Sequence, residues 1–211
     1  MCYNVGNMVQ IKQVKSGMGK FFRFPAKLYK CNEFYKHIDA KDEKSFFSKK
    51  KALQDGYEYR CWLAFDKKCK VVGRIAVVIP SDKEKKQAHI TRFDFVDKYE
   101  VSQGLLDVAT EYAQEKGMQA IRGPIGFSDD DKRGCLVDGF DRKCSLDTTV
   151  YNYGYYAAHF EKMGFEKEMD WLEFEAGNST CVEALESNTE AVKQHIDKSL
   201  IKRRRCFTKK I

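Results

Sequence analysis

Three consecutive β-patterned runs between residues 57 and 96 constrain this chain more than any other feature. Tyr57–Asp66 (YEYRCWLAFD) alternates at period two and sets Tyr57, Tyr59, Cys61, Leu63 and Phe65 on one face. The turn DKKCK leads into VVGRIAVVIP, a nearly continuous apolar strand ended by Pro80. After a charged loop at 81–88, His89–Val96 returns. The pattern puts Phe93 and Phe95 on one face of it and Ile90, Arg92, Asp94 and Val96 on the other. Runs joined this closely pair as an antiparallel meander.

Around the meander the apolar period changes from two to that of a helix. Val101, Leu105, Leu106, Ala109, Tyr112 and Ala113 recur at helical spacing and stop at Lys116-Gly117. A short strand at 119–122 runs into the loop GPIGFS, a helix follows at Tyr155–Met163, and Phe165–Phe174 reads as a strand. Upstream, Met8–Val14 alternates as a strand. Phe21–Asn32 reads as a helix with Pro25 in its first turn. A second short helix is expected over Asp42–Ala52, burying Phe46, Phe47 and Leu53. A meander followed by alternating helix and strand predicts an α/β mixed sheet, mostly antiparallel, with helices on both sides. One domain is expected over 5–174. Residues 175–211 are expected to be a helical, basic C-terminal appendage ending in a frayed tail, KRRRCFTKKI.

Composition narrows the class. Hydrophobic residues are 43% of the 211, enough for a substantial core. No apolar run approaches the ~18 residues of a membrane span, and the first twenty residues lack a signal-peptide core, so a cytoplasmic location is expected. The eight cysteines form no CxxC pair and no zinc spacing with histidine, so reduced thiols and no metal are expected. Charge is uneven: residues 12–51 hold twelve Lys/Arg against four Asp/Glu, more than the whole chain's net +7. A basic face of this kind attracts anions, or is simply solvated. Asp129, Asp130 and Asp131 are adjacent loop carboxylates, and His37, His89, His159 and His195 are scattered.

The element order resembles the GNAT fold of acyl-coenzyme A-dependent N-acyltransferases. YYAAHFEKMGFEKEMDWLEF resembles that superfamily's last helix, its Gly-Phe turn and the strand after it. FRFPAKLYK, VVGRIA, EKGMQAIRGPIGFSDDD…GCLVDGFD and YNYGYYAAHFEKMGFEKEMDWLEF resemble, in order, a bacterial family of longer GNAT-like proteins. Against that family this chain looks C-terminally truncated or divergent beyond Phe174. The resemblance implies acetyl- or another acyl-coenzyme A in a V-shaped opening between two strands. An amine attacks the thioester directly in a ternary complex, a backbone amide polarises its carbonyl and a tyrosine protonates the thiolate. The pyrophosphate lies on a glycine-rich turn at a helix N-terminus.

Mapped residue by residue, the resemblance implies that Val96, Val101, Ser102, Gln103, Gly104 and Asn152 bind coenzyme A. The superfamily's loop is Gln/Arg-x-x-Gly-x-Gly/Ala, whereas FVDKYEVSQGLL has Gly104 alone. Asp97 and Glu100 there have capping-box spacing, so an Asp97 cap would compete for the phosphate amides. The superfamily's tyrosine position is filled by Phe160, which leaves Tyr151, Tyr153, Tyr155 and Tyr156 as substitutes, Tyr153 and Tyr156 foremost as acids. Asp94 is the candidate base, or else a salt-bridge partner of Arg92 or another neighbour. Gly123, Pro124, Ile125, Gly126, Phe127, Ser128 and Tyr151 are the candidate substrate site, where two glycines let backbone approach a ligand; the alternative is a tight turn that packs Phe127. Three functions follow: an N-acyltransferase acting on a small-molecule or peptide amine, a non-catalytic GNAT-like ligand-binding module, or a basic protein associated with nucleic acid. Of these the nucleic-acid reading is set last, because aromatic readers among the basic residues are few. A homodimer is an open alternative.

Overall fold

The computed structural model describes residues 2–5, 9–16, 18–48, 52, 54–82, 84–128, 131–142, 150–174 and 200–211. In chain order these form β1 (Cys2–Val5), β2 (Val9–Gln13), α1 (Gly19–Leu28), α2 (Ala40–Phe46), β3 (Glu58–Asp66), β4 (Val71–Ile79) and β5 (Gln87–Phe95). They continue with α3 (Tyr99–Glu115), β6 (Ala120–Gly123), β7 (Cys135–Asp138), α4 (Tyr155–Lys162), β8 (Glu166–Phe174) and β9 (Leu200–Lys210). The expected Leu53, Asp129 and Asp130, and the helix expected within 175–199, lie outside the described residues.

The strands make one sheet in the order β1-β2-β3-β4-β5-β6-β9, with β7 beside β6 on one edge of β9 and β8 along its other edge. Neighbours are antiparallel except β5 and β6, which are parallel. Alternation decides which face each residue serves. Trp62, Ala64, Ile75, Val77 and Ile90 pack with Leu105, Ala109 and Tyr112 of α3 and with Tyr156 and Phe160 of α4. Cys61, Leu63 and Ala76 face the other way, onto Phe21 and Phe22 of α1 and Phe47 after α2. α3 lies close to the sheet because Gly73 has no side chain; a Cβ there would stand 2.7 Å from Leu105 Cδ1.

Four expectations are corrected. Residues 200–211 are not a frayed tail. β9 pairs with β6, β7 and β8, and Lys202, Arg204, Cys206 and Phe207 are buried, so the domain does not end at 174. The run of charge in KRRR hides a strand whose exposure is decided by its neighbours. Second, Ile90 lies on the Phe93 face. The β4–β5 register shifts between Arg74 and Ala76, so Arg92 and Phe93 together oppose Ile75, and the extra residue reverses the alternation. Arg92 takes a left-handed φ of 49° at this bulge, a conformation that costs a non-glycine residue of order 1 kcal/mol and needs support from its surroundings.

Third, Pro25 sits inside α1 rather than in its first turn, because the helix starts at Gly19. Proline has no N–H to offer the carbonyl four residues back. That carbonyl, Phe21 O, accepts instead from Arg74 Nη1 at 3.0 Å. Fourth, the N-cap of α3 is Lys98, which makes no side-chain capping bond. Asp97 is turned away toward His159 Nε2, 3.0 Å from its Oδ1. β1 and β7, each four residues long, carry too little pattern to be foreseen.

Candidate active site

β5 and β6 pair over Gln87–His89 and Ala120–Arg122, and then part. A parted strand edge exposes backbone groups that need partners. At Phe95 they are tyrosine hydroxyls: the N–H donates to Tyr156 Oη at 3.0 Å, and the carbonyl accepts from Tyr155 Oη at 2.6 Å. α4 aims both tyrosines at the gap, and the Tyr156 ring stacks on Phe95 with centroids 4.3 Å apart.

On the α1 side of the gap lies a cavity of ≈ 40 Å³. That is room for about three waters. Its walls include Tyr29, Tyr35, Arg74, Asp94, Tyr151 and Tyr156. Tyr29 Oη donates to Asp94 Oδ1 at 3.1 Å and lies 2.9 Å from Tyr156 Oη. Since the Tyr29 proton goes to the carboxylate, Tyr156 is the donor in the second bond. Three groups therefore form a line, Tyr156 to Tyr29 to Asp94. Burial, then the neighbouring Tyr156 and Asp94, push the Tyr29 hydroxyl well above its usual pKa. Burial, then Asp94 and Tyr155, do the same to Tyr156. Both stay protonated at neutral pH.

Behind this line is an ion network. Arg74 Nε holds Asp94 Oδ2 at 2.7 Å, and the Pro25-freed Phe21 carbonyl orients the guanidinium from the other side. Arg92 makes a bidentate pair with Asp131 at 2.6 and 2.7 Å, and reaches Glu43 at 3.2 and 3.3 Å. Burial pulls the Arg92 pKa down, but Glu43 and Asp131 outweigh it and hold the group charged. Arg92 thereby ties α2, β5 and the β6–β7 loop together, which supports its left-handed backbone. Three carboxylates face two guanidiniums here, while Lys132 and Arg133 add positive charge along the half-exposed rim.

Of the expected site residues, Asp94, Tyr156, Pro124, Tyr151 and Asn152 line the cavity. Tyr153 does not line it and donates to Leu28 O at 3.2 Å. Asn152 bonds both the N–H and the carbonyl of Leu136, tying down β7. Gly123 pairs with Phe207 on β9, and Ile125 N–H bonds Ile90 O at 2.9 Å. Gly126 leaves space for Asp131, whose Oδ2 would be 2.2 Å from a Cβ there. Phe127 packs against Phe47 and Tyr57, and the Ser128 carbonyl accepts from Asp131 N–H. The loop GPIGFS thus builds the wall and contributes Pro124 to the cavity. Around α3, Val101, Ser102 and Gly104 are buried and Val96 packs on the core. Ser102 Oγ lies 2.8 Å from His159 Nδ1, and Gln103 bonds Tyr99 and Asp107.

Tyr29, Tyr35, Glu43, Arg74 and Arg92 were not among the expected site residues. Arg74 carried a readable signal, a lone charge within an apolar strand, which has to find a buried partner. Among the described residues no group of three or more His, Cys, Asp or Glu is placed to hold a metal ion, and no helix is long and apolar enough to cross a membrane.

No family model matches the sequence. Protein YghO of Escherichia coli (strain K12) is 27% identical over 163 residues, which are 75% of this chain and 41% of that protein. The chain thus spans about two fifths of the length of the curated relative it matches. Among solved structures, the ribosomal-protein-S5-alanine acetyltransferase from Vibrio fischeri superposes with a TM-score of 0.57 at 8% identity, over 100% of this chain and 96% of that one. A probable acetyltransferase from Staphylococcus epidermidis ATCC 12228 gives 0.55 at 12% identity, over 96% and 99%. An acetyltransferase of the GNAT family from Staphylococcus aureus Mu50 gives 0.50 at 13%, over 96% and 98%. At such identities the likeness is one of architecture, and together with the parted parallel pair β5 and β6 it identifies the fold of this chain as that of the GNAT acetyltransferases.

Proposed function

We propose that the chain is an N-acyltransferase that moves an acyl group from acyl-coenzyme A to an amine. The observation that carries this reading is the meeting of the parted β5–β6 edge with the cavity, across the Tyr156–Tyr29–Asp94 line. The thioester of acyl-coenzyme A supplies the activated acyl group. For its phosphates, α3 offers a first turn with no side-chain cap, where N–H groups and the helix dipole favour an anion. Asp97 is turned to His159 and does not cap the Tyr99 and Glu100 amides, while the Val101 and Ser102 N–H groups bond Lys98 O at 3.0 and 3.3 Å. Asp94, at the end of the hydroxyl line, is the carboxylate toward which a proton from the amine can pass. As the amine nitrogen bonds the acyl carbon and the C–S bond breaks, a proton released by the amine onto Tyr156 Oη is matched by the Tyr156 proton moving to Tyr29 and the Tyr29 proton to Asp94, and coenzyme A leaves as a thiolate that takes its proton from solvent.

A second reading, a ligand-binding module without transfer chemistry, is favoured by one observation: Tyr155 and Tyr156 already occupy the Phe95 N–H and carbonyl. Calorimetry with acetyl- and longer acyl-coenzyme A, followed by release of free thiol in the presence of a panel of amines, separates the two. Micromolar binding with thiol release supports the enzyme, and binding without release supports the module. Absence of heat with every acyl chain removes both coenzyme A readings.

A further inference from the structure

A cationic groove lies on the outer side of α1, away from the cavity. No Asp or Glu occurs before Glu33, while Lys12, Lys15, Lys20, Arg23, Lys27 and Lys30 all do. α1 buries Phe21, Phe22, Phe24 and Pro25, so the residues between them are forced outward. Lys20, Arg23 and Lys27 are exposed at spacings of three and four, which is one helix face, and exposed Lys30 follows past the helix end. At 1.5 Å per residue the helical part of this stripe is about 10 Å long. The β3–β4 hairpin lies alongside and exposes Lys67, Lys68 and Lys70. The carboxylate at its turn, Asp66, accepts from the Lys68 and Lys70 N–H groups at 2.9 and 2.8 Å. The two segments enclose a groove of ≈ 450 Å³ lined by Lys20, Arg23, Lys27 and Lys70 over a floor of Phe24 and Val71. None of these four cations has an ion-pair partner among the described residues.

We propose that this groove binds the phosphate backbone of a single-stranded nucleic acid. A cradle for one phosphate converges short donors and backbone N–H groups on a point. Here the donors are long side chains strung along a strip, which is how a backbone is tracked. Phe65, partly buried against the core, carries Lys12 and Lys20 Nζ over its ring at 5.6 and 6.0 Å from the centre, which holds both cations beside the groove. A membrane surface fits less well, because insertion needs exposed apolar anchors. The large hydrophobics exposed among the described residues are Met169 and Leu172, on β8. The basic C-terminal run offers less, since Lys202 and Arg204 are buried in β9 and Arg205 is paired with Asp170. Sequence alone set nucleic acid last; the fold joins α1 to a hairpin some forty residues on and so assembles the groove.

The test is fluorescence anisotropy of a short labelled oligouridine titrated with the intact chain between about 50 and 200 mM salt. Four phosphate contacts predict a slope of log K against log salt of about −2.8. The triple variant Lys20→Glu, Arg23→Glu, Lys27→Glu should weaken binding at least tenfold at low salt and flatten the slope by about 2. Lys20→Gln, Arg23→Gln, Lys27→Gln should show the same direction without added repulsion, with an unchanged melting profile. A control with equal charge change at exposed positions elsewhere, Lys85→Glu, Arg142→Glu, Lys210→Glu, should lose much less. Equal losses in control and groove variants would overturn the proposal, as would no binding at low salt. So would phosphatidylserine vesicles sedimenting the protein while the oligonucleotide leaves it free. Acyl-coenzyme A binding is read separately, so the groove and the acyltransferase reading stand or fall apart.

Discussion

Replacing Tyr156 with Phe removes one oxygen from the cavity wall and keeps the ring on Phe95. That oxygen holds two buried partners, the Phe95 N–H at 3.0 Å and the Tyr29 hydroxyl at 2.9 Å. β6 has diverged at this point, so the amide loses its acceptor; an unsatisfied buried donor costs about 1–3 kcal/mol. The lost tyrosine pair adds about 0.5–1.5 kcal/mol, and Tyr29 keeps its bond to Asp94. The variant should therefore be less stable by about 1.5–4.5 kcal/mol. In a chain of this size each kcal/mol moves the melting midpoint by about 2–4 °C. Urea unfolding should show the loss as a lower midpoint at constant slope. A double-mutant cycle with Tyr29→Phe isolates the oxygen–oxygen bond, with a coupling of about 0.5–1.5 kcal/mol expected. A loss below about 0.5 kcal/mol, or no coupling, would refute the hydrogen-bonded line from the parted strand to Asp94.

The same packing sets three further outcomes. Gly126→Ala should destabilise by about 3–5 kcal/mol, since its Cβ would displace Asp131 and leave Arg92 half-paired in the interior; an unfolding curve superposable on the parent would contradict this. The ring of His89 is pushed down from 6.5 to about 4 by burial and by Arg122. Between those values the unfolded chain binds the extra proton, so this contribution is complete above pH 6.5 and is lost as pH falls toward 4. It is at most about 3 kcal/mol for a half-buried ring. His89→Gln should flatten the stability profile in that window and leave it unchanged above. Alkylation mapped by mass spectrometry should modify exposed Cys31 and Cys69 quickly. Cys61, Cys135 and Cys206 should react on unfolding, because burial raises their thiols, Cys135 to about 12 and Cys206 to about 11. Rapid native-state labelling of Cys61 would argue against its place beneath α1.

Elements whose pattern repeats were legible in the chain. β3 and β4, α3, α4 and β8 each carry enough residues for the period of two or of a helix to emerge, and the structure places them within a few residues of expectation. Where one residue changes the phase, pattern reading fails. The extra residue at Arg92 and Phe93 carries Ile90 onto the Phe93 face, and nothing local announces a bulge. β9 was missed for a different reason. Its charges resemble a solvated tail, and they lie in a sheet because β7 and β8 bind its two edges.

The candidate site divides along the same line. Asp94 and Tyr156 could be named from the chain because each stands in a recognisable element, a meander strand and the helix before Gly-Phe. Their partners could not. Tyr29 meets Asp94 across 65 positions and Tyr156 across 127, and Arg92 meets Asp131 across 39. Sequence periodicity registers neighbours within a few residues, so by itself it determined the layers, the helix faces and the cationic run before Glu33. The tertiary structure decided which buried charges neutralise one another, and that the backbone of the parted strand is held by tyrosines. Those pairings follow from sheet order and from the carbonyl that Pro25 leaves free, which are long-range properties of the packed chain.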